Sequence, residues 1–496
     1  MNVLDMKKRH VLYIISKLWC IVLLVFHMLS CSRQVEVTQH LSSAPAIFPD
    51  YKEVTIPQNI APLHFRVEKE QGEIVAANFT TDRGEVVSVG ADGNDVCISA
   101  DDWNKLLQDA KSISVEVVVE RNGVGCAYKP FHIWVSKDSI DSYVAYRLIE
   151  PGYEKWYRMG IYQRELTSFE QTAIVENKTT GNNCMNCHTF CQGKPQWTAL
   201  HMRGGAAGTY IAKGGNRAFL VFDGNDSIKS LVYPSWHPSG KFIAFSTNDT
   251  HQGFHSSDRN RIEVYDEKSD IVVYDVDDGK KSIFTSPLLK SEQGWETYPC
   301  FSPDGKTLYF CSADSVEMPR RYKEVKYSIC SIAFDANKKC FGNKVDTVLS
   351  SKMTGKSAVM PRVSPDGKWM VVTMADYGCF PIWHHEADLY IINLQTKEMH
   401  PLAAANSDDT ESYHSWSSNG RWLLFSSRRV NGLYTMPFIC HIDKNGKASK
   451  PFLLPQESTD YYDRCLKSYN IPEFVRGKVN LTFVGRHLGE GQNLLK

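Results

Sequence analysis

The chain has 496 residues, 42% of them apolar and 11% aromatic, and its 56 Lys and Arg are balanced by 56 Asp and Glu to a formal net charge of +0. That balance leaves no basic surplus to hold nucleic acid or an anionic membrane face, and the length predicts two or three domains. Most of the 14 cysteines are scattered singly, unlike the dense spacing of a disulfide scaffold.

The chain opens with Lys7, Lys8, Arg9 and Lys17, followed by a largely apolar run over residues 18–29. This has the layout of a secretory signal, and the run is short of the roughly 20 apolar residues of a transmembrane helix. It ends in Met28-Leu-Ser-Cys31-Ser, a small residue before a Cys, which resembles a bacterial lipobox with Met28 where Leu is usual. The expectation is a signal peptide over 1–30, lipidation of Cys31, and a polar tether over 31–48. An ordinary signal peptide with an incidental Cys is the plainer alternative. Acyl chains on Cys31 would hold the protein to a membrane of the bacterial cell envelope, each buried CH₂ contributing about 0.8 kcal/mol.

Residues 49–150 read as a small β-sandwich-like domain with one helix. A strand over 115–120, the turn Arg121-Asn-Gly123 and a return strand over 126–135 form a hairpin. Ser99 and Asp102 make a capping box, and Trp103, Leu106, Leu107 and Ala110 share one helical face, which is core. Cys97 and Cys126 are one candidate disulfide pair, although sequence cannot fix connectivity.

Residues 151–196 read as a bridge that carries Cys184-Met-Asn-Cys187-His188. C-x-x-C-H is the attachment sequence of a c-type haem, and about 0.01 such pentapeptides are expected by chance at this composition. Cys184 and Cys187 would carry the thioethers and His188 would be the axial ligand. His201 and Met202, close in sequence, are candidates for the sixth ligand, with His384, His385 and His414 as more distant ones. Two alternatives stay open: a zinc site from Cys184, Cys187, Cys191 and His201, and a Cys184–Cys187 disulfide.

The remainder, 197–496, contains four ungapped copies of one unit. They are Tyr233-Pro-Ser-Trp-His-Pro-Ser-Gly-Lys241, Tyr298-Pro-Cys-Phe-Ser-Pro-Asp-Gly-Lys306, Met360-Pro-Arg-Val-Ser-Pro-Asp-Gly-Lys368 and Tyr413-His-Ser-Trp-Ser-Ser-Asn-Gly-Arg421. An apolar strand follows each, and a second strand comes after a variable loop. Such a unit cannot bury its small sheet alone, so the copies must stack, and radial stacking of β units gives a propeller. A fainter copy falls over 200–222, and 461–479 is a candidate for one more.

These Tyr-Pro-x-aromatic-Ser-Pro-Asp-Gly-Lys units resemble the TolB-type propeller repeat over roughly 225–455. The resemblance implies an all-β fold with a TolB-like β-propeller of six blades. It also implies that Ser235, Cys300, Arg362 and Ser415 lie near the axis with His414 beside them. Arg362 and His414, neither small nor Pro, are then candidates for ligand contact at the channel mouth, or solvated rim residues. Lipobox, C-x-x-C-H and repeat together resemble a group of Bacteroidetes-type envelope lipoproteins described as TolB-like or cytochrome-like. The expected function is that of a lipid-anchored propeller with one covalent haem c, for electron transfer or haem-based sensing. The alternative is a scaffold that binds a protein or glycan partner, with structural or zinc-binding cysteines. No Gly-x-Ser-x-Gly elbow, phosphate loop or His-Glu-x-x-His is present, so an enzyme is expected only in the form of a haem-dependent redox catalyst.

Overall fold

The Ser-Pro-Asp-Gly turn is wired by its own side chains. In the second copy Ser302 Oγ donates to Asp304 Oδ1 (2.6 Å) and accepts from the Thr307 amide (3.0 Å), while Asp304 Oδ1 also accepts from the Lys306 amide (3.0 Å). The Gly305 amide closes the turn on the Ser302 carbonyl, with Gly305 at φ 72°, where a side chain is strained. Ser364 and Ser417 repeat this pattern with Asp366 and Asn419. Each turn reverses the chain between the first two strands of a four-stranded antiparallel sheet.

The computed structural model describes residues 35–481 except 71, 151–157, 205–206, 222–227, 229 and 279–281. The expected signal peptide and Cys31 lie outside the described residues. The architecture is all-β, and six four-stranded antiparallel sheets make up its larger part. We number them I to VI. Sheet I contains Tyr143–Ile149, Gly160–Glu165 and Gln171–Glu176, and its first position is filled from the far end of the chain by Ser468–Val475. Sheets II to VI each run outward in chain order, beginning with Cys184–Phe190, Val232–Trp236, Gly294–Phe301, Ser357–Val363 and Glu411–Trp416. The six first strands touch in cyclic order, and Ser468–Val475 meets both Glu411–Trp416 and Cys184–Phe190. This ring of sheets is β-propeller-like, which leaves no long sheet edge unprotected at the closure.

Two boundaries therefore differ from those read in the sequence. Within the expected bridge over 151–196, Gly160–Glu165 and Gln171–Glu176 are strands of sheet I. The C-x-x-C-H segment is the innermost strand of sheet II rather than a lead-in to a repeat starting at 197.

The N-terminal domain has a seven-stranded sheet, a three-stranded sheet and the helix Ala100–Leu107. Ser99 caps that helix by accepting from the Asp102 amide, and Trp103, Leu106 and Leu107 are buried, as the sequence predicts. Asn122 and Gly123, both at positive φ, make the tight turn between Ser112–Arg121 and Val124–Ala127. The expected return strand runs along one edge of Ser112–Arg121 in two segments, Val124–Ala127 and Phe131–Ser136, while Glu73–Thr81 takes the other edge. Cys97 is exposed, Cys126 is buried, and both are free, so that pairing is not made. The domain's core is continuous with that of sheets V and VI, and Trp422 Nε1 donates to the Asp138 carbonyl at 3.0 Å. Among the described residues no helix is long and apolar enough to cross a membrane.

Candidate functional site at the axis

Each innermost strand carries the same irregularity. The register shifts between Val232 and Ser235, Thr297 and Cys300, Val359 and Arg362, Ser412 and Ser415, and Met185 and His188. In sheet I the same shift falls on the inner strand between Asn470 and Glu473, opposite Arg147 and Ala145. A bulge of this kind re-aims the side chains after it. At the bulge Tyr233, Tyr298, Met360, Tyr413 and Ile471 have φ of 49°, 50°, 56°, 48° and 50°, unusual for residues with a Cβ and costly for a β-branched one. The repeated kink has one consequence for the axis. The first residue paired after the shift, one per sheet, lines a central cavity of about 320 Å³.

Those six residues are His188, Ser235, Cys300, Arg362, Ser415 and Glu473. Four of them are the positions that the repeat pointed to. The repeat did not point to His188, which the C-x-x-C-H motif names, nor to Glu473, which no motif names, and a repeat signal for both exists. Met185-Asn-Cys-His188-Thr-Phe-Cys-Gln-Gly-Lys194 runs in step with Val232-Tyr-Pro-Ser235-Trp-His-Pro-Ser-Gly-Lys241, and Asn470-Ile-Pro-Glu473-Phe-Val-Arg-Gly-Lys478 does so with one residue fewer. The C-x-x-C-H segment is thus itself a divergent copy of the repeat, with Cys187 in the proline position and His188 in the axial one. By the order of the ring, His188 stands across from Arg362, Ser235 across from Ser415, and Cys300 across from Glu473.

His188 is 3% exposed and neither ring nitrogen has a hydrogen-bond partner. Burial pushes its pKa down to about 3, the Arg147 charge adds to this, and the Ala145 carbonyl only partly opposes it. The ring is therefore neutral at physiological pH, with a lone pair uncommitted inside the protein. An orphaned buried polar atom costs about 1–3 kcal/mol, so such a group in a native wall calls for a functional reason. Beside it Cys187 also lines the cavity, its thiol pKa raised by burial. Glu473 accepts from the Phe190 amide (3.2 Å) and Thr189 Oγ1 (2.9 Å). Burial nevertheless lifts its pKa to about 7, the strand amide, the hydroxyl and the Arg362 charge opposing that rise.

Other residues that the sequence singled out are not gathered here. Cys184 is half-buried and packs against the apolar cluster between sheets I and II, away from the cavity. Met202 is wholly buried in the same cluster, paired with Met185 across the sheet. His201 projects to the opposite face of that strand, where its Nδ1 lies 3.0 Å from Thr209 Oγ1. Neither of the two reaches His188's cavity. The zinc set is not assembled either. Cys191 Sγ donates to the His237 carbonyl within a different apolar cluster, and among the described residues no three His, Cys, Asp or Glu side chains converge as metal ligands. Cys184 and Cys187 are free thiols. His414 is committed to sheet V: Nε2 donates to the Val371 carbonyl at 2.9 Å and Nδ1 lies 3.4 Å from Thr373 Oγ1. His384 belongs to a separate cluster, between Glu263 (3.5 Å) and Glu386 (3.3 Å), and His385 lies beside Asp409 (3.0 Å). Arg362 does project to the axis, as expected.

No protein-family model matches the chain, and no curated protein matches it. Among solved structures it is similar to a DUF4784 family protein from Bacteroides caccae, at 11% identity over 76% of this chain and 97% of that one, with a TM-score of 0.30. It is also similar to prolyl oligopeptidase B from Galerina marginata, at 10% identity over 80% of this chain and 54% of that one, TM-score 0.35; it thus spans about half of that protein. A third is the periplasmic gluconolactonase of Pseudomonas aeruginosa, at 10% identity over 63% and 68% of the two chains, TM-score 0.26. These neighbours are β-propeller-like.

Proposed function

We propose that this chain is a lipid-anchored envelope protein built on a six-bladed TolB-like propeller that carries one c-type haem at the innermost strand of sheet II. The blade count rests on six four-stranded sheets whose inner strands touch in a closed cycle. The haem reading rests on one observation above the others. In a C-x-x-C-H segment, the His is buried in a cavity wall with both ring nitrogens unpartnered, and the second Cys lines the same cavity. His188 and Cys187 fit the group. Cys184 packs on the sheet I side, so attachment through both thiols requires it to turn toward the group. Held by Cys184, Cys187 and His188, a haem would supply one-electron redox chemistry or binding of a small axial ligand. The chain's own part is to keep the His188 ring neutral by burial and to surround it with aromatic and aliphatic walls. Neither His201 nor Met202 supports a sixth ligand, since both are turned to other faces of sheet II.

A second reading has its own support. The off-axis position of Cys184 and the polar ring of Ser235, Cys300, Arg362 and Ser415 suit a binding scaffold with structural cysteines. The full chain, made in a host that matures c-type haem, separates the two. Under the haem reading the purified protein shows Soret absorbance, and His188→Ala shifts that spectrum by removing the imidazole that would hold the group. An absorbance-free protein beside a matured control cytochrome contradicts it.

A further inference from the structure

The charged groups around the axial cavity are not evenly satisfied. The acids have partners: Asp141 Oδ2 accepts from the Ser418 amide at 2.7 Å, and Glu473 accepts from Thr189 and Phe190. Arg362 does not have a comparable one. Its guanidinium donates to the carbonyl of its own neighbour Pro361 at 3.0 Å and to the Cys300 thiol, and it acts on Glu473 only through its charge, with no ion pair formed among the described residues. Around it the wall holds three further polar groups that are nine-tenths buried without a hydrogen-bond partner: Trp236 Nε1, Tyr298 Oη and Ser415 Oγ, in residues 8%, 2% and 9% exposed. All three can donate, and they come from sheets III, IV and VI and line the same cavity as Arg362 of sheet V. A chamber of this size is within the range that encloses a small organic molecule.

A cation and three orphaned donors, with the nearby acids already engaged, define the sign of what completes the wall. We propose that the axial cavity is a binding site for a small organic carboxylate, anchored by Arg362. The planar guanidinium forks onto a carboxylate through two parallel N–H···O bonds, a geometry that an ammonium cannot reproduce. Trp236, Tyr298 and Ser415 offer donors around it, and Tyr233 and Trp416 supply apolar wall for the rest of the molecule. Desolvating the carboxylate at such a site costs free energy, which the charge-assisted pair and the orphaned donors offset.

The inference does not rest on the haem reading, because none of these residues lies on the sheet II strand. It is tested on the full chain produced without haem maturation, by calorimetric titration with benzoate and hexanoate against their neutral amides, benzamide and hexanamide, up to about 10 mM, which reaches dissociation constants near the weak end of specific binding. The expected result is binding of the acids but not of the amides, weakened at least tenfold in Arg362→Gln and partly kept in Arg362→Lys, with circular dichroism showing both variants folded. Equal behaviour of acids and amides, no heat from any of the four, or acid binding unchanged in Arg362→Gln overturns the proposal. Failure here leaves the haem reading where it stands, and failure of the haem reading leaves this one.

Discussion

The inner strands of sheets II and IV occupy equivalent places in the ring and share a bulge, a turn and a glycine, yet they carry different chemistry. In sheet IV, Tyr298-Pro-Cys300 ends in a small axial residue, and the turn glycine is jammed under a neighbour: a Cβ on Gly305 would stand 2.2 Å from His237 Nε2. In sheet II, Cys187 replaces the proline and His188 the small residue, and the corresponding Gly193 would place a Cβ no closer than 3.4 Å from Arg476 and Phe474. The tight glycine belongs to the sheet IV copy and not to all of them, since a Cβ on Gly367 of sheet V would meet nothing within 4 Å. The divergent copy has kept the backbone path and put a buried, unpartnered imidazole at the axis. A repeat fold can therefore place a functional residue by substituting one position of one copy, because the bulge aims that position in every copy alike.

The largest expected effect tests the packing half of this contrast. Gly305→Ala combines left-handed strain with displacement of His237 and is expected to cost about 3–5 kcal/mol, against about 1–2 kcal/mol for Gly193→Ala, where strain acts almost alone. Chemical denaturation of the two variants side by side measures the difference, and equal losses would break the contrast. Next comes the junction that holds the N-terminal domain. Trp422→Phe removes the donor to Asp138 and is expected to cost about 1–2 kcal/mol in the same measurement, with earlier proteolysis of the N-terminal domain.

The pH dependence separates histidines buried in neutral form from one held between carboxylates. His201 and His414 are buried neutral, their pKa values pushed down to about 3 from an ordinary 6.5. The unfolded chain takes up protons that the folded chain refuses, so their contribution is whole above pH 6.5 and is lost as pH falls toward 3. His384 behaves in the opposite sense. Burial alone would lower its pKa, but Glu263 and Glu386 outweigh that and raise it to about 9, so its contribution is whole below pH 6.5 and is lost as pH rises through 9. Melting temperatures across this range should fall on both limbs, and His384→Gln should flatten the alkaline one only. The smallest effect is the most diagnostic. His188→Ser restores the residue type of the regular copies and removes an orphaned ring, so the haem-free protein should change by less than about 1 kcal/mol or gain stability. A loss of several kcal/mol would make His188 a structural residue.

How much was legible follows from how local each signal is. Ser-Pro-Asp-Gly-Lys can be read because Ser302, Asp304 and Gly305 act on one another within five residues. The helix at Ala100–Leu107 can be read for the same reason, through Ser99 and Asp102. The sheet II copy was hidden because its prolines and Asp are gone, leaving only Gly193-Lys194 as punctuation, and the haem motif drew the reading elsewhere. Sheet I was hidden because its first strand, Ser468–Val475, arrives from some three hundred residues away. Nearness in sequence misled for His201 and Met202, since adjacent residues of a strand face opposite sides and neither side is the axis. For Arg362 and His414 the repeat pointed to the inner strands, but only three-dimensional packing shows that one lines the cavity and donates to the Pro361 carbonyl while the other is bonded to Val371 and Thr373.

The central claim is that the divergent inner strand holds a covalent haem. The most direct measurement is haem staining after denaturing electrophoresis of the full chain and of Cys184→Ala/Cys187→Ala, both produced with haem c maturation, with zinc assayed on the same samples. The account predicts haem that migrates with the parent chain, vanishes in the double variant, and is accompanied by no stoichiometric zinc. A parent chain without bound haem, beside a control cytochrome that carries it, would contradict the account.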